Sequence, residues 1–164
     1  MDRKLKILIV GGGGREHALA WKIAQSPWCE KIYCAPGNAG IAQIAQCVPI
    51  AAEDLRGLLQ FAKSQKIDFT VVGPEIPLVS GIVDLFKKNR LAVFGPSRKA
   101  AILEGSKVFA KRLMKRHGIP TASFQVFTQA GKALAYLRKA SFPLVLKADG
   151  PAAGKGVVVA ATRA

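Results

Sequence analysis

Apolar residues along the chain fall into short unbroken runs separated by longer stretches of helical spacing. Residues 6–10 (Lys-Ile-Leu-Ile-Val) are short, apolar and end in glycine, which predicts a buried strand. Residues 15–26 place Ala18, Trp21 and Ala24 on one side of a helix that Pro27 closes. A second strand is expected over 31–35, stopped by Pro36 and Gly37. A third over 47–50 is weakened by Pro49, which has no N–H for a ladder. Residues 53–66 set Leu55, Leu58, Leu59 and Ala62 on one helical face. A strand over 69–72, a helix over 78–89 and a strand over 91–94 follow, and both strands end in Gly-Pro. Residues 97–117 read as a helix broken near Gly105 and stopped by Gly118 and Pro120.

Strands alternating with helices of this length predict an α/β fold: a doubly wound, mostly parallel sheet with right-handed crossovers. After residue 121 the rhythm changes. A strand is expected over 123–127, a helix over 130–139, and strands over 144–148 and 157–161 that form a hairpin around a glycine-rich turn. The expected division is a first domain over 1–121 and the opening of a second over 122–164.

Half of the 164 residues are hydrophobic, enough for a sizeable core. No apolar run approaches the ~18 residues of a membrane span, and four apolar residues before the glycines are too short for a secretory signal core. Cys29, Cys34 and Cys47 are odd in number and show no paired metal spacing. Reduced thiols in a cytoplasmic protein are the expectation. The net charge of +15 is uneven. Residues 1–84 hold 9 basic and 8 acidic side chains, net +1, whereas residues 85–164 hold 16 and 2, net +14. A basic half calls for an anionic partner: nucleic acid, a membrane surface or a phosphorylated small molecule.

Four expected strands end in loops containing Gly or Pro: 11–14, 36–40, 73–75 and 95–97. In an open α/β sheet these loops share the edge where ligands bind. The first also feeds a helix N-terminus, whose free N–H groups suit phosphate. The run is not a dinucleotide fingerprint, because His17 or Glu16 stands where the third glycine belongs and the second strand ends in Ala35-Pro36 without an acid. Residues 149–156 (Asp-Gly-Pro-Ala-Ala-Gly-Lys-Gly) are not a P-loop either: the spacing is short, Gly156 replaces Ser/Thr, and the loop joins two strands. A hairpin lid with Lys155 over nucleotide phosphates fits better, and Lys147 inside an apolar strand suits the same anion or else a solvent-facing edge. His17 and His117 are weak signals. A nucleic-acid module is the rival suggested by the charge, but no helix-turn-helix or RNP-like motif and only 12 aromatics support it.

The segments 11–22, 35–40, 72–79, 94–97, 103–107 and 147–157 together resemble the glycinamide ribonucleotide synthetase (phosphoribosylamine–glycine ligase) family of the ATP-grasp superfamily, over the whole chain. The resemblance implies a pre-ATP-grasp domain followed by the start of an ATP-grasp small domain. It implies a ligase of purine biosynthesis that phosphorylates glycine with ATP and passes the acyl group to 5-phosphoribosylamine, giving ADP and phosphate. It implies contacts to phosphoribosylamine from Gly12, Gly13, Gly14, Arg15, Glu16, Asn38, Gly73, Pro74 and Glu75. It implies ATP contacts from Lys107, Lys147, Asp149, Gly150, Ala153, Gly154, Lys155, Gly156 and Val157. Mg2+ (or Mn2+) is implied for the full-length enzyme, with its ligands and the glycine site beyond Ala164 and none in this chain. The implied partners are phosphoribosylamine, glycine and ATP, with no nucleic acid and no membrane, and the remaining carboxyl-terminal ATP-grasp portion. By the same resemblance the chain is expected to be an amino-terminal portion, inactive alone. Another ATP-grasp ligase or carboxylase is the alternative. Two residues depart from the family pattern: Gly12 stands where many members have Asn, and Pro151 where Leu is usual.

Overall fold

The computed structural model describes residues 4–152 and 155–162. The chain divides into two compact units between Ala101 and Ile102. This lies before the expected boundary at 121, because among the described residues the buried apolar side chains all lie at or before Ala101.

The first unit is a five-stranded sheet. It comprises β1 (Leu5–Gly11), β2 (Cys29–Pro36), β3 (Gln46–Cys47), β4 (Phe69–Val72) and β5 (Val93–Phe94) in the order β3-β2-β1-β4-β5. Every pairing is parallel. β1 sits in the centre, pairing Ile7 with Ile32 on one side and with Phe69 on the other. Its alternation explains the double winding. Leu8 and Val10 face a core with Leu58, Ile82, Val83 and Phe86, while Ile7 and Ile9 face one with Ala20, Ile32, Ile41 and Val71. Phe86, Leu8, Ile9 and Leu58 are fully buried, each contributing about 1.5–3 kcal/mol.

Between the strands run α1 (Gly14–Ala24), α2 (Leu55–Ser64), α3 (Glu75–Ser80) and α4 (Ile82–Lys88). The Asp54 carboxylate caps α2 by accepting from the Gly57 N–H at 2.9 Å. The single helix expected over 78–89 is instead two. It starts earlier, at Glu75, and breaks at Gly81, whose φ of +94° no helix interior allows. The expected break near Gly105 separates α5 (Arg98–Gly105) from α6 (Lys107–Arg116).

In the second unit, the Ser106 hydroxyl caps α6 by accepting from the Phe109 N–H at 3.0 Å. α7 (Ala130–Leu137) follows, then the antiparallel hairpin of β6 (Leu144–Lys147) and β7 (Val157–Ala160). The strand expected over 123–127 does not form. Its aromatics are used otherwise: the Lys111 ammonium lies 5.8 Å from the Phe124 ring centre, and Phe127 packs on Tyr136 at 5.2 Å. Without a partner strand, those side-chain contacts decide the path.

A candidate ligand cleft at the sheet switch point

The chain leaves β1 toward β2 on one side and later returns to lay β4 on the other. The crevice beyond the carboxyl ends of β1 and β4 is therefore the switch point where ligands settle in such sheets. A cleft of about 550 Å³ opens there. The glycine run 11–14 with Arg15 and Glu16 forms one wall, Pro74 and Glu75 a second, and Pro36 with residues 51–53 a third.

Three glycines let backbones come close enough to build it. A Cβ on Gly12 would collide with the Gly37 carbonyl oxygen, so the loops after β1 and β2 touch main chain to main chain. A Cβ on Gly73 would collide with the Glu16 carboxylate. Gly11 has φ +122°, and a Cβ there would strike the same carboxylate. Gly14 differs: a Cβ would meet nothing within 4 Å, and its φ lies outside the left-handed region. Glycine at 14 therefore leaves the helix N-terminus bare. The first-turn N–H groups of α1 have no intrahelical acceptor and suit an anion.

Glu16 is the buried centre of this region, 4% exposed. Its Oε2 accepts from the Gly13 N–H at 2.7 Å, closing the cap of α1. Its Oε1 has no hydrogen-bond donor. Arg15 crosses to the β4 loop, where its Nη1 donates to the Gly73 carbonyl at 2.8 Å and lies 4.0 Å from the Glu75 carboxylate. Both side chains are well exposed, so that ion pair contributes about 0–1 kcal/mol at most. Its main effect is to join the two walls. Three acids (Glu16, Glu53, Glu75) against one cation suit a ligand that presents hydroxyl or amino donors beside an anion held by main-chain N–H groups.

Of the nine residues implied for the phosphoribosylamine site, seven line the cleft. Asn38 and Gly73 do not; they stand behind it. The Asn38 amide donates to the Gly12 carbonyl at 2.8 Å and accepts from the Ile41 N–H at 2.9 Å, so it staples loops together. Pro36 belongs to the 36–40 loop expected at this edge, whereas Ala51, Ala52 and Glu53 are missing from the sequence reading. The signal for 51–53 was positional: they follow β3, whose carboxyl end lies on the same edge. His17 packs its ring at the Gly40 main chain and does not line the cleft.

Beneath the floor, the buried Cys34 thiol donates to the Gly11 carbonyl at 3.4 Å. Burial, with Cys47 and Glu16 nearby, pushes this thiol up to about 12.

The residues implied for nucleotide lie in the second unit. Lys107 Nζ donates to the Gly150 carbonyl at 2.7 Å. The Asp149 carboxylate accepts from the Ser106 hydroxyl and the Val108 N–H, each at 3.1 Å. The Val108 N–H contributes most to holding its pKa below the usual carboxylate value. Lys147 is exposed at the end of β6 and pairs in register with Val157. Gly150 has φ +88°, and the Lys155 N–H donates to the Ala152 carbonyl at 2.8 Å. The Gly156 carbonyl accepts from the Ala148 N–H at 2.8 Å. Ala153 and Gly154 lie outside the described residues.

Two family models match in succession: "Phosphoribosylglycinamide synthetase, N domain" over residues 5–104, and "Phosphoribosylglycinamide synthetase, ATP-grasp (A) domain" over 105–164. The chain is 56% identical over 155 residues to a phosphoribosylamine–glycine ligase of Caldanaerobacter subterraneus subsp. tengcongensis, covering 94% of this chain and 37% of the relative. It is 57% identical over 160 residues to the Escherichia coli K12 ligase of the same name, covering 96% and 37%. The crystal structure of the Thermotoga maritima phosphoribosylamine–glycine ligase matches with TM-score 0.73 and 34% identity, over 96% of this chain and 36% of that one. An N5-carboxyaminoimidazole synthetase from Staphylococcus aureus complexed with ADP shares the fold, with TM-score 0.75 at 19% identity, over 99% and 43%. The chain thus spans little more than a third of the length of the curated relatives it matches. The two successive matches, which together run from residue 5 to residue 164, mean that this chain belongs to the phosphoribosylglycinamide synthetase family.

Proposed function

We propose that the cleft between the β1 and β4 loops binds a phosphorylated amino-ribose, and that this chain supplies that site to a ligase joining glycine to 5-phosphoribosylamine with ATP. The observation that carries the reading is the bare α1 N-terminus at Gly14, in a cleft at the sheet switch point whose lining also carries the carboxylates of Glu16, Glu53 and Glu75. Main-chain N–H groups meet the phosphate, and the carboxylates accept from the ribose hydroxyls and the amine. Holding the amine in a fixed place lets it attack an acyl phosphate without a diffusional search. ATP supplies that acyl phosphate. On this reading Lys107, Lys147 and the 149–157 lid face nucleotide, Lys107 by exchanging the Gly150 carbonyl for a phosphate oxygen. The described residues do not fit a magnesium site. No cluster of three or more His, Cys, Asp or Glu occurs among them, and Asp149 is engaged by Ser106 and Val108. The metal therefore has no assigned step. The reading places the protein in the cytoplasm, where these substrates occur.

The test is titration of ribose 5-phosphate and a stable amine analogue into the chain and into Gly14→Val. A Cβ at 14 meets no protein atom within 4 Å, so the fold tolerates it while the branched side chain fills the ligand's place. Binding should weaken by at least ~tenfold, or about 1.4 kcal/mol. Equal affinity of the two proteins, both folded by circular dichroism, overturns the assignment.

A further inference from the structure

We propose that Cys34 and Cys47 form a reversible disulfide under hydroperoxide oxidation and that this link loosens the floor of the ligand cleft. The two residues are register partners on the parallel strands β2 and β3, so their side chains leave the sheet on the same face. Both belong to one apolar cluster. Gly37 reports their closeness: a methyl group built there would collide with the Cys47 sulfur and lie 3.5 Å from the Cys34 Cβ. β3 is a two-residue strand at the sheet edge, free to make the small inward shift that a sulfur–sulfur bond needs.

The thiols are also tied to the cleft. Cys34 Sγ donates to the Gly11 carbonyl at 3.4 Å, and Cys47 Sγ donates to the Asn38 carbonyl at 3.6 Å. Gly11 lines the cleft, and the Asn38 side chain holds the Gly12 carbonyl. A disulfide has no S–H, so forming it removes both sulfur donors at once; the Gly11 and Asn38 carbonyls each lose one of two donors and keep only the Gly37 N–H at 3.1 Å and the Ala42 N–H at 2.9 Å.

Cys47 is half-buried and Cys34 is fully buried, which sets the order of events. The Cys47 thiolate attacks one peroxide oxygen. The O–O bond breaks, the departing oxygen takes a proton and leaves as water, and Cys47 becomes a sulfenic acid. Cys34 sulfur then attacks Cys47 sulfur. The S–O bond breaks, and hydroxide leaves with the Cys34 proton as a second water. Two thiols are oxidised while one peroxide is reduced. Because burial suppresses the Cys34 thiolate, the second step is slow and quickens as pH rises.

The consequence for affinity rests on the proposed ribose-phosphate site; the link itself does not. The experiment uses the chain carrying Cys29→Ser, treated with hydrogen peroxide. Intact mass should fall by two hydrogens, and peptide mapping should join the segments containing residues 34 and 47. The Gly12 and Asn38 amide resonances should move, ribose 5-phosphate should bind roughly fivefold more weakly, and a thiol reductant should reverse all of it. Cys47→Ser should abolish the link without disturbing the buried Cys34. Accumulation of oxygen on Cys47 beside a free Cys34 thiol overturns the proposal. So does a link that leaves both amides unmoved. If the reduced chain fails to bind ribose 5-phosphate, the ligand assignment falls, while mapping and amide shifts still judge the disulfide.

Discussion

Glu16 shows how one side chain governs several glycines. Its carboxylate holds the Gly13 N–H and fills the space that side chains at Gly11 and Gly73 would need. Gly73→Ala should therefore destabilise the first unit by about 1–3 kcal/mol in urea unfolding, whereas Gly14→Ala should change it by less than ~0.5 kcal/mol. Combining Gly73→Ala with Glu16→Ala should cost less than the sum of the two, because removing the carboxylate vacates the Cβ site. Strict additivity would show that the two residues do not share that space. Cys34 gives a pH signature. Its thiol titrates near 9.0 when unperturbed and near 12 in the fold. A folded value raised above the unfolded one leaves stability intact below pH ~9 and removes it as pH climbs toward ~12, by about 1.4 kcal/mol per unit. Urea midpoints from pH ~8 to ~11 should fall less steeply for Cys34→Ala than for the parent. Much at this scale was hidden in the sequence. Glu16 was legible as a loop residue, not as a buried one, and Asn38 as a ligand contact, not as a staple. Both depend on loop-to-loop approach between residues far apart in the chain.

At the scale of elements, the alternation of strand and helix was readable because buried strands and amphipathic helices leave different periods. The β1 run, the β4 run and the break before α6 stand where the pattern put them. What failed were elements decided by partners. Residues 123–127 have strand-like composition but no ladder, and 78–89 divide at Gly81 because the backbone there takes a left-handed turn. The 51–53 wall carries no glycine signal of its own and reaches the cleft only because β3 ends on the same edge. The Asp149 contact makes its own prediction at this level. As the carboxylate accepts from Val108 N–H at the first turn of α6, Asp149→Ala should speed amide exchange at Val108, and Asp149→Asn, which keeps an acceptor, should restore part of the protection. A lowered folded pKa means that this contribution is present above the ordinary carboxylate value of 3.8 and fades as pH falls below it through the lower folded value. Unchanged exchange in Asp149→Ala would falsify the capping role.

For the whole molecule, the two units differ in what holds them. The first owns the buried apolar clusters on both faces of its sheet; in the second, no hydrophobic side chain is buried among the described residues. Hydrogen exchange should be slowest in β1 and β4, near Ile9 and Val71, and fast in β6 and β7, since a two-stranded hairpin is marginal in water. Equal protection of the hairpin and the central strands would show that the second unit has stability of its own. Charge is uneven across this division: residues 102–164 hold 11 basic and 2 acidic side chains against 14 and 8 over residues 1–101, so added salt should stabilise the second unit more than the first. The uneven charge was legible from composition alone, but the position of the division was not. It depends on which apolar residues find a neighbour, and helical spacing in α6 gives no hint that its apolar side lies unburied.

The central place of β1 bears on how the chain is made. Of the five strands it leaves the ribosome first, yet it ends between two neighbours. β2 covers one edge once residue 36 has emerged, but the other stays open until residues 69–72 arrive. For that interval a nascent chain carries Ile7, Leu8, Ile9 and Val10 on an unpaired edge, the arrangement most inviting to a second chain. The glycine loop that lines the cleft is therefore fixed only late in synthesis, and the same strand that anchors the finished cleft is the point where holding chaperones have most to shield.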